Sequence, residues 1–428
     1  MKKLFFIFII NLLPAQQIWS LDQSLDYAAK NHPLIKQATV TIQKNERQIS
    51  AAKGMLLPSV EAGVNHNYSF GSTIDQTTNQ RGSLNTQYDQ VYAQANWELM
   101  NWRNYLKISL SKINKESSAY KLKQAQNEVK LNVITMFFNY QNNKSWLEVL
   151  ETQISGIEDQ IKRTEKEVEI GNRPKSDVYD IKANLGTLQE QWVTAKNSRD
   201  LSKINLLNAL AITTDSLDFK MNEENLSEIN FNDPNFTINL LEKNPAYQTI
   251  LAEIKASEKN ISITKSAYLP TLNGLYNWSS FYSKTLGESS VDSFSDQFKR
   301  NKSKQVAFGL NIPIFNKFQV KNNVEIAKLN VINFNYEKEI VVNNLIQTIN
   351  TIKAQYQNSE EKYTLLQSNF ENQRLSFQKS EEKYKEGLMD AYTFFVVRNN
   401  WLQANYNLIN SKNEVLQQTE LLKVLRSN

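Results

Sequence analysis

The residues from about 101 to 213 constrain the fold most, because they predict two very long helices joined by one tight turn, Gly171-Asn172-Arg173-Pro174. Apolar residues recur at steps of three and four in both helices, which over several heptads is typical of a coiled-coil seam. The seam positions are Leu147, Leu150, Ile154, Ile157, Ile161 and Val168 before the turn, and Val178, Ile181, Leu185, Leu188, Trp192 and Ala195 after it. The roughly 70 residues before the turn, rising about 1.5 Å each, would form a rod of about 100 Å.

The composition agrees with long helices and excludes several kinds of protein. The 428 residues include only 11 Gly and 8 Pro, which leaves little material for loops. A mean hydropathy of −0.52 suits narrow apolar stripes on solvated helices. The 49 basic and 44 acidic residues are mixed along the chain, so we expect no nucleic-acid partner, which would need a basic patch. Without Cys, disulfides and thiolate chemistry are excluded.

The N-terminus predicts a secretory signal peptide over residues 1–20, without a clear cleavage motif. Lys2 and Lys3 precede an apolar run from Leu4 to Leu13, which is too short to span a membrane as a helix. A buried N-terminal helix is the alternative interpretation. No later apolar run reaches the length of about 18 residues that a membrane-spanning helix requires.

Four segments show the period-two alternation of β-strands, at about residues 59–70, 88–100, 271–282 and 304–315. One apolar face and one hydrogen-bonding face suit a membrane barrel strand between lipid and a water-filled lumen. We expect Val91, Ala93, Ala95, Trp97, Val306, Phe308, Leu310 and Ile312 to face lipid, and Gln94, Asn96 and Asn311 to face the lumen or the subunit interior. Candidates for an aromatic girdle are Tyr68, Trp97, Trp278 and Tyr282. A soluble antiparallel sheet shows the same alternation, so the pattern alone leaves both structures open.

The second half of the chain repeats the first. Asn31-His32-Pro33 returns as Lys243-Asn244-Pro245 and Leu57-Pro58 returns as Leu269-Pro270, each Pro 212 residues later, and the turn at Gly171 recurs 216 residues later at Gly387. Each copy reads as short helices, two strands and a long helical hairpin. We therefore predict a first repeat at residues 21–212, an equatorial linker at 213–234 and a second repeat at 235–428.

In this arrangement the chain resembles the TolC family of outer membrane efflux proteins over nearly all of the sequence after the leader. The matching motifs are Trp19-Ser20-Leu21-Asp22-Gln23-Ser24-Leu25, Asn31-His32-Pro33, the two Leu-Pro pairs before strands, Asn311-Ile312-Pro313-Ile314-Phe315 and the Gly turns. The resemblance implies a mainly helical fold with membrane β-structure, in which a trimer forms a twelve-stranded outer membrane barrel above a twelve-helix periplasmic tunnel. An equatorial collar would include the linker and the residues after about Glu420.

The resemblance also implies a function. It implies a passive exit duct of a tripartite efflux pump or type I secretion system in the outer membrane of a Gram-negative bacterium. The duct would be coupled to an inner membrane transporter through a periplasmic adaptor, or membrane fusion protein. A secreted coiled-coil scaffold or adhesin without channel activity is the alternative, which the matched amphipathic strands disfavour.

Physical reasoning reaches part of the same answer without the resemblance. Four strands cannot close a barrel, and lipid does not tolerate open sheet edges, so strands must be pooled among subunits. Two copies would give an eight-stranded barrel filled by side chains, whereas three copies leave room for a pore. The number three itself comes from the resemblance.

We expect no catalytic residue, no cofactor and no metal site. His32 and His66 are the only histidines, and neither lies in a metal-binding or catalytic motif. His32 precedes a Pro that interrupts a helix, and His66 falls on the mostly apolar face of the first strand, so we assign both structural roles. The abundant carboxylates lie beside Lys and Arg on helix faces, where solvated surface is the ordinary interpretation.

The two turns receive roles from the resemblance. They should lie together at the periplasmic tip and meet the adaptor through Gly171, Asn172, Arg173, Pro174, Gly387 and Leu388. Each Gly should also end its helix in the left-handed conformation.

The resemblance further implies a gate at this tip, matched here by Ser176, Asp177 and Tyr384, with Asp390 as the nearest acid to further acidic positions of the family. The Arg that the family's pattern carries after the second Gly is Met389 here, so that part of the pattern is absent. Rings of Asp177 and Asp390 would bind cations, and changing both to Asn should weaken block by divalent cations. Helix capping by Ser176 or Asp177 is the alternative.

Overall fold

The computed structural model describes residues 17–74, 79, 81–83, 85–213, 217–221, 236–287 and 292–426. Most of the predicted leader and most of the predicted linker lie outside these residues. The chain divides into two compact units. One, here called the helical unit, comprises Met1–Val40, Tyr120–Gln248 and Ile340–Asn428. The other, here called the sheet unit, comprises Thr41–Ala119 and Thr249–Glu339.

Four long helices form two hairpins, as the heptad pattern predicts. The first hairpin is α3 (Trp102–Glu169) with α4 (Lys175–Ala209), and the second is α8 (Gln319–Lys385) with α9 (Ala391–Arg426). Because neither α3 nor α8 contains Pro and each has at most one Gly, nothing interrupts their backbone hydrogen bonds over 68 and 67 residues. At about 1.5 Å per residue, each is about 100 Å long.

The predicted seam of the first hairpin is a buried core of the helical unit. Most of the predicted seam residues from both arms form one cluster with residues of the second hairpin, namely Tyr384, Phe394 and Phe395. Thr164, the polar interruption of the seam, is buried with them. A similar cluster joins Ile349, Ile352 and Tyr356 of α8 to Val415 and Leu422 of α9. The hairpins are therefore held by apolar burial along narrow stripes.

Short elements complete the helical unit. They are β1 (Gln17–Trp19), α1 (Leu21–Asn31), β6 (Leu217–Phe219) and α5 (Phe236–Lys243), with α2 (Pro33–Gly54) and α6 (Pro245–Lys265) each lying partly within it. Strand β1 pairs in parallel with β6. Asp218 of β6 accepts hydrogen bonds from the Tyr140 hydroxyl at 2.6 Å and the Lys144 ammonium at 2.9 Å, which fix β6 against α3. Ser20 caps α1 in a capping box with Gln23.

The sheet unit is built around four antiparallel strands in the order β2-β5-β7-β8. Their bounds are β2 (Ser59–Ser69), β5 (Thr86–Met100), β7 (Thr271–Thr285) and β8 (Ser303–Asn311). All four junctions with helices lie at one end of the sheet, and both strand-to-strand connections lie at the other. Those connections carry a small hairpin, β3 (Ser72–Ile74) with β4 (Arg81–Ser83), and a short helix, α7 (Phe294–Arg300). Ile312 lies just past the end of β8, before Pro313, which cannot donate to a strand ladder.

The strand register gives the sheet two unlike faces. Val60, Ala95, Tyr276 and Val306 stand opposite one another across all four strands. The adjacent row is Glu61, Gln94, Asn277 and Gln305. Because directly paired residues share a face and successive residues alternate, one face is apolar and the other is hydrogen-bonding. The apolar face is exposed, with Val60 and Phe308 more than two-thirds accessible.

No helix in the described part of the chain combines the length and apolar character that crossing a membrane requires.

Candidate functional site

Both helical hairpins turn through the same backbone motif. After α3, the amide of Gly171 donates to the Val168 carbonyl, and the amide of Asn172 donates to the Glu167 carbonyl at 2.8 Å. After α8, Gly387 and Leu388 make the equivalent pair of bonds, to Tyr384 and Lys383. This pairing is the Schellman motif, which needs a left-handed residue. Gly171 and Gly387 supply it with φ of 79° and 74°, as predicted.

Arg173 connects the two turns. Its Nη2 donates to the backbone carbonyl of Tyr384 at 2.6 Å, and its guanidinium lies 4.2 Å from the centre of the Tyr384 ring. Its other nitrogens reach Glu167 at 2.6 Å and Asp177 at 3.3 Å. Burial opposes the charge of Arg173, but its contacts with Tyr384, Asp177 and Glu167 outweigh burial and raise its pKa. The guanidinium therefore stays charged and holds the two turns side by side, and the resemblance also implied that the turns lie together.

The structure places the four predicted gate residues in four different environments. Asp177 is bound to Arg173, whereas Ser176 is exposed on the first turn of α4. Tyr384 is buried and stacks on Phe394 at 4.6 Å, so its ring lies inside the seam. Asp390 is exposed and caps α9 by accepting from the amide of Thr393 at 2.8 Å. Those hydrogen bonds lower its pKa.

The structure does not place Ser176 or Asp177 at the N-cap of α4. The residue at the N-cap of α4 is Pro174, which makes no side-chain cap hydrogen bond. Asp177 lies in the first turn, where a negative charge is favourable, but its side-chain hydrogen bond is with Arg173.

A second arginine links the hairpins further from the turns, and we did not predict it. Arg398 of α9 is 8% exposed and donates to the backbone carbonyl of Gln153 in α3 at 3.1 Å. It approaches above Gly156, where a Cβ atom would lie 2.9 Å from Nη2. Burial lowers its pKa, and Glu381 opposes that effect. The signal was present in the sequence, since Arg398 lies three residues after Phe395 and four before Leu402, at a seam position.

The residues predicted to face lipid lie on the exposed apolar face of the sheet, except Ile312, which lies outside the strands. Trp97 is at the helix end of the sheet, where its indole nitrogen donates to the Leu56 carbonyl at 2.8 Å. Tyr282 is near the opposite end. Aromatic residues thus occur towards both ends of the apolar face, as at the two interfaces of a membrane.

The two histidines occupy the structural positions predicted for them. The ring Nδ1 of His32 accepts from the amide of Leu34 at the start of α2. His66 pairs with Asp89 across β2 and β5. Within the described residues, no three His, Asp or Glu side chains are grouped as metal ligands would be.

Comparison with known proteins decides the family. A sequence model described as outer membrane efflux protein matches residues 25–211 and 238–425, one stretch in each repeat. The chain belongs to the outer membrane efflux protein family. Among its relatives is the outer membrane protein TolC of Escherichia coli (strain K12), 22% identical over 342 residues that cover 78% of this chain and 67% of that one.

Solved structures show the same fold. The CmeC outer membrane channel of Campylobacter jejuni superposes with a TM-score of 0.77 at 18% identity, covering 95% of this chain and 85% of that chain. The outer membrane protein VceC of Vibrio cholerae superposes with a TM-score of 0.78 at 11% identity, covering 95% of each chain.

Family membership confirms the predicted class of protein. The chain is an outer membrane efflux channel of the TolC family, located in the outer membrane of Gram-negative bacteria with a periplasmic extension. Channels of this family are non-enzymatic transport proteins, and they are trimeric. The alternative of a secreted scaffold without channel activity is thereby set aside.

Proposed function

We propose that three copies of this chain form a passive exit duct that an inner membrane transporter reaches through a periplasmic adaptor. The observation that carries this proposal is the open sheet. Among the described residues of one chain, β2 pairs only with β5 and β8 pairs only with β7, so two strand edges remain for other subunits. Because lipid cannot satisfy exposed backbone groups, joining β2 of one copy to β8 of the next would close a barrel.

The two faces of the sheet supply a direct test of barrel assembly. Ala95 lies on the apolar face and Asn96 on the hydrogen-bonding face, one residue apart. We expect Ala95→Arg to reduce assembled, heat-modifiable trimer in outer membrane fractions, because Arg on the lipid-facing side of a barrel is unfavourable, by up to roughly 2–4 kcal/mol at the bilayer midplane and less towards the interfaces. Asn96→Arg is the matched control and should assemble normally. Equal amounts of trimer from both variants would reject the proposed orientation of the sheet.

The paired turns are the proposed docking surface for the adaptor. Leu388 is exposed beside Gly387, and Asn172 and Pro174 are exposed in the first turn. Bulky residues at Gly171 or Gly387 should leave trimers in the membrane and uncouple them from the transporter. Transport at the wild-type level by such variants would contradict docking at the turns.

The proposed gate is centred on Arg173 rather than on a ring of acids alone. Its bonds to Glu167 and Asp177 within the first hairpin and to Tyr384 of the second support closure of the narrow end at rest. Asp390 remains a candidate for cation binding, because its carboxylate is exposed and its lowered pKa keeps it charged. Changing Asp177 and Asp390 to Asn should weaken block of single-channel current by divalent cations. Unchanged block would remove both acids from the gate.

We also propose a revised boundary for the leader. Gln17–Trp19 form β1 and Ser20 caps α1, so cleavage after Ser20 would remove a strand of the helical unit. We expect the mature chain to begin at or before Gln17, with the two repeats and the linker following as predicted. N-terminal sequencing of protein from outer membranes tests this, and a start after Ser20 would contradict it.

A further inference from the structure

The short helix α7 lies on the apolar face of the sheet, in the connection between β7 and β8. Phe298 of α7 packs edge-on against Trp278 with ring centres 6.2 Å apart, and Phe294 packs against Tyr282 at 5.4 Å. Trp278 and Tyr282 alternate in phase with Tyr276 on β7, so they belong to the apolar face. The helix therefore places additional aromatic surface where that face approaches the strand-to-strand connections.

Buried amides hold α7 in place. Gln297 is 5% exposed, accepts from the backbone amide of Ser283 at 3.0 Å and donates to its carbonyl at 2.9 Å. Asn301 donates to the carbonyl of Phe281 at 2.9 Å. Strand β8 begins opposite Ser279, so these side chains replace a neighbouring strand along the rest of β7. The segment is thus fixed to the sheet.

Four cations follow the aromatic residues within six positions, at Lys299, Arg300, Lys302 and Lys304, and all four are exposed. Arg300 pairs with Asp292. For the three lysines no ion pair is present in the described part of the chain. Lys304 stands directly opposite Trp278 in the strand register, which puts it on the apolar face. Exposed ammonium groups therefore lie on and next to the segment that carries the apolar, aromatic surface.

The other repeat provides an internal comparison. Its strand-to-strand connection, residues 70–85, contains Arg81 as its single cation and Phe70 as its single aromatic residue. Any role of the cationic cluster thus belongs to the second repeat.

We propose that Lys299, Lys302 and Lys304, with the aromatic residues of α7 and β7, bind the phosphate groups of an anionic lipid in the outer leaflet. This inference rests on the proposed function: if the long helices reach into the periplasm, the helix junctions of the sheet face the periplasm and its opposite end faces the exterior. Aromatic rings favour the level of the head groups, and lysines attract lipid phosphates there. Phe294 packs against Tyr282 and is still 53% exposed, so part of its ring is available to acyl chains.

Lipid binding by intact trimers tests the site. Trimers in phosphatidylcholine nanodiscs, with and without added diphosphorylated lipid A, would be compared for wild type, Lys299→Gln/Lys302→Gln/Lys304→Gln and the charge-preserving triple Lys→Arg variant. Each lysine near an anionic head group contributes roughly fivefold, so we expect about hundredfold weaker lipid A binding in the Gln triple variant. The Arg variant should bind like wild type, and added salt should weaken wild-type binding by screening.

Several outcomes would overturn the inference. Unchanged lipid A binding in the Gln triple variant would remove the lysines from any lipid site. Competition by inorganic phosphate at comparable concentration would mean that the cluster recognises free phosphate rather than lipid. If the triple variant does not assemble, Lys299→Gln and Lys302→Gln alone should each weaken binding roughly fivefold, and no change in either would count equally against the site. Failure of the wild-type chain to form conducting trimers would instead contradict the proposed function.

Discussion

The turn at Gly171 and the turn at Gly387 share their backbone and differ in what their side chains hold. Both are Schellman motifs with the same two hydrogen bonds. The first turn is followed by Arg173, which reaches the other hairpin, whereas the second is followed by Asp390, which caps its own helix. The two repeats therefore share the backbone conformation of the turn. They do not share the side chain, Arg173, that contacts the other hairpin.

The two arginines that cross between hairpins differ as well. Arg173 donates from the first hairpin to a carbonyl of the second and has two carboxylate partners. Arg398 donates from the second hairpin to a carbonyl of the first, and no carboxylate lies within ion-pair distance of it in the described part of the chain. Removing the paired charge of Arg173 at the tip should therefore destabilise the structure, whereas removing the unpaired buried charge of Arg398 along the seam should stabilise it.

The largest effect is expected from Arg173→Met. The change leaves Asp177 and the Tyr384 carbonyl without their partner, and breaking a partly buried pair in this way costs roughly 3 kcal/mol. We expect the amides of both turns to exchange hydrogen roughly a hundredfold faster, measured by mass spectrometry. Arg163→Met, an exposed change on α3 before the turn, is the control. Equal exchange in the two variants would show that Arg173 does not join the turns.

Arg398→Met should act in the opposite direction. Methionine removes a buried charge that lacks an ionic partner and keeps most of the apolar contact. We therefore expect the free energy of unfolding of the helical unit to rise by about 1–2 kcal/mol. Thermal unfolding of the trimer measures the change. A lower melting temperature would mean that the bond to the Gln153 carbonyl outweighs the cost of burying the guanidinium.

Alanine at Gly171 or Gly387 should lower the free energy of unfolding by the same amount, because the two glycines have nearly equal φ angles. Nothing lies within 4 Å of an added Cβ at Gly171 or Gly387, so the loss of stability comes only from strain of the left-handed backbone and is about 1 kcal/mol at each position. Gly186→Ala, in the middle of α4 and equally open, should instead stabilise by a similar amount. Melting temperatures of the three variants provide the check, and a loss at Gly186 would contradict it.

The smallest effect concerns Asp390. Hydrogen bonds from the Thr393 amide and hydroxyl lower its pKa, so the cap stabilises the start of α9 above the ordinary pKa near 3.8. That contribution is lost as the pH falls through the lowered value. In the wild type, hydrogen exchange of the amides in the first turn of α9 should therefore speed up at low pH. In Asp390→Asn this dependence on pH should be weaker. A variant with the wild-type acid profile would show that another group is responsible.

Periodicity predicted the parts of the molecule that local spacing determines. The hairpins, their seam, the two faces of the sheet and the left-handed glycines all follow from steps of two, three and four or from a Gly after a helix. The end of α4 shows the limit. Helix α4 also ends in a Schellman motif, but its left-handed residue is Ala211, with a φ of 56°, so no glycine in the sequence predicts it.

The remaining features depend on contacts between distant residues. Arg173 was assigned to docking, but its partner Tyr384 is 211 residues away, so no local pattern reveals the bond. The pairing of β1 with β6 spans a similar distance and placed residues 17–20 inside the fold. Helix α7 lies between two of the predicted strands and was not predicted itself, because it has only two apolar residues, Phe294 and Phe298, and they pack on strand β7.

Single-channel conductance in planar bilayers tests the central claim, a trimeric duct held shut at the tip by Arg173, most directly. We expect low conductance from wild type, a severalfold increase from Arg173→Met, and wild-type conductance from Asp390→Asn, whose cap lies within one hairpin. If Arg173→Met conducts no more than wild type, or if Asp390→Asn opens the channel equally, the tip is not held by the contact between the two turns.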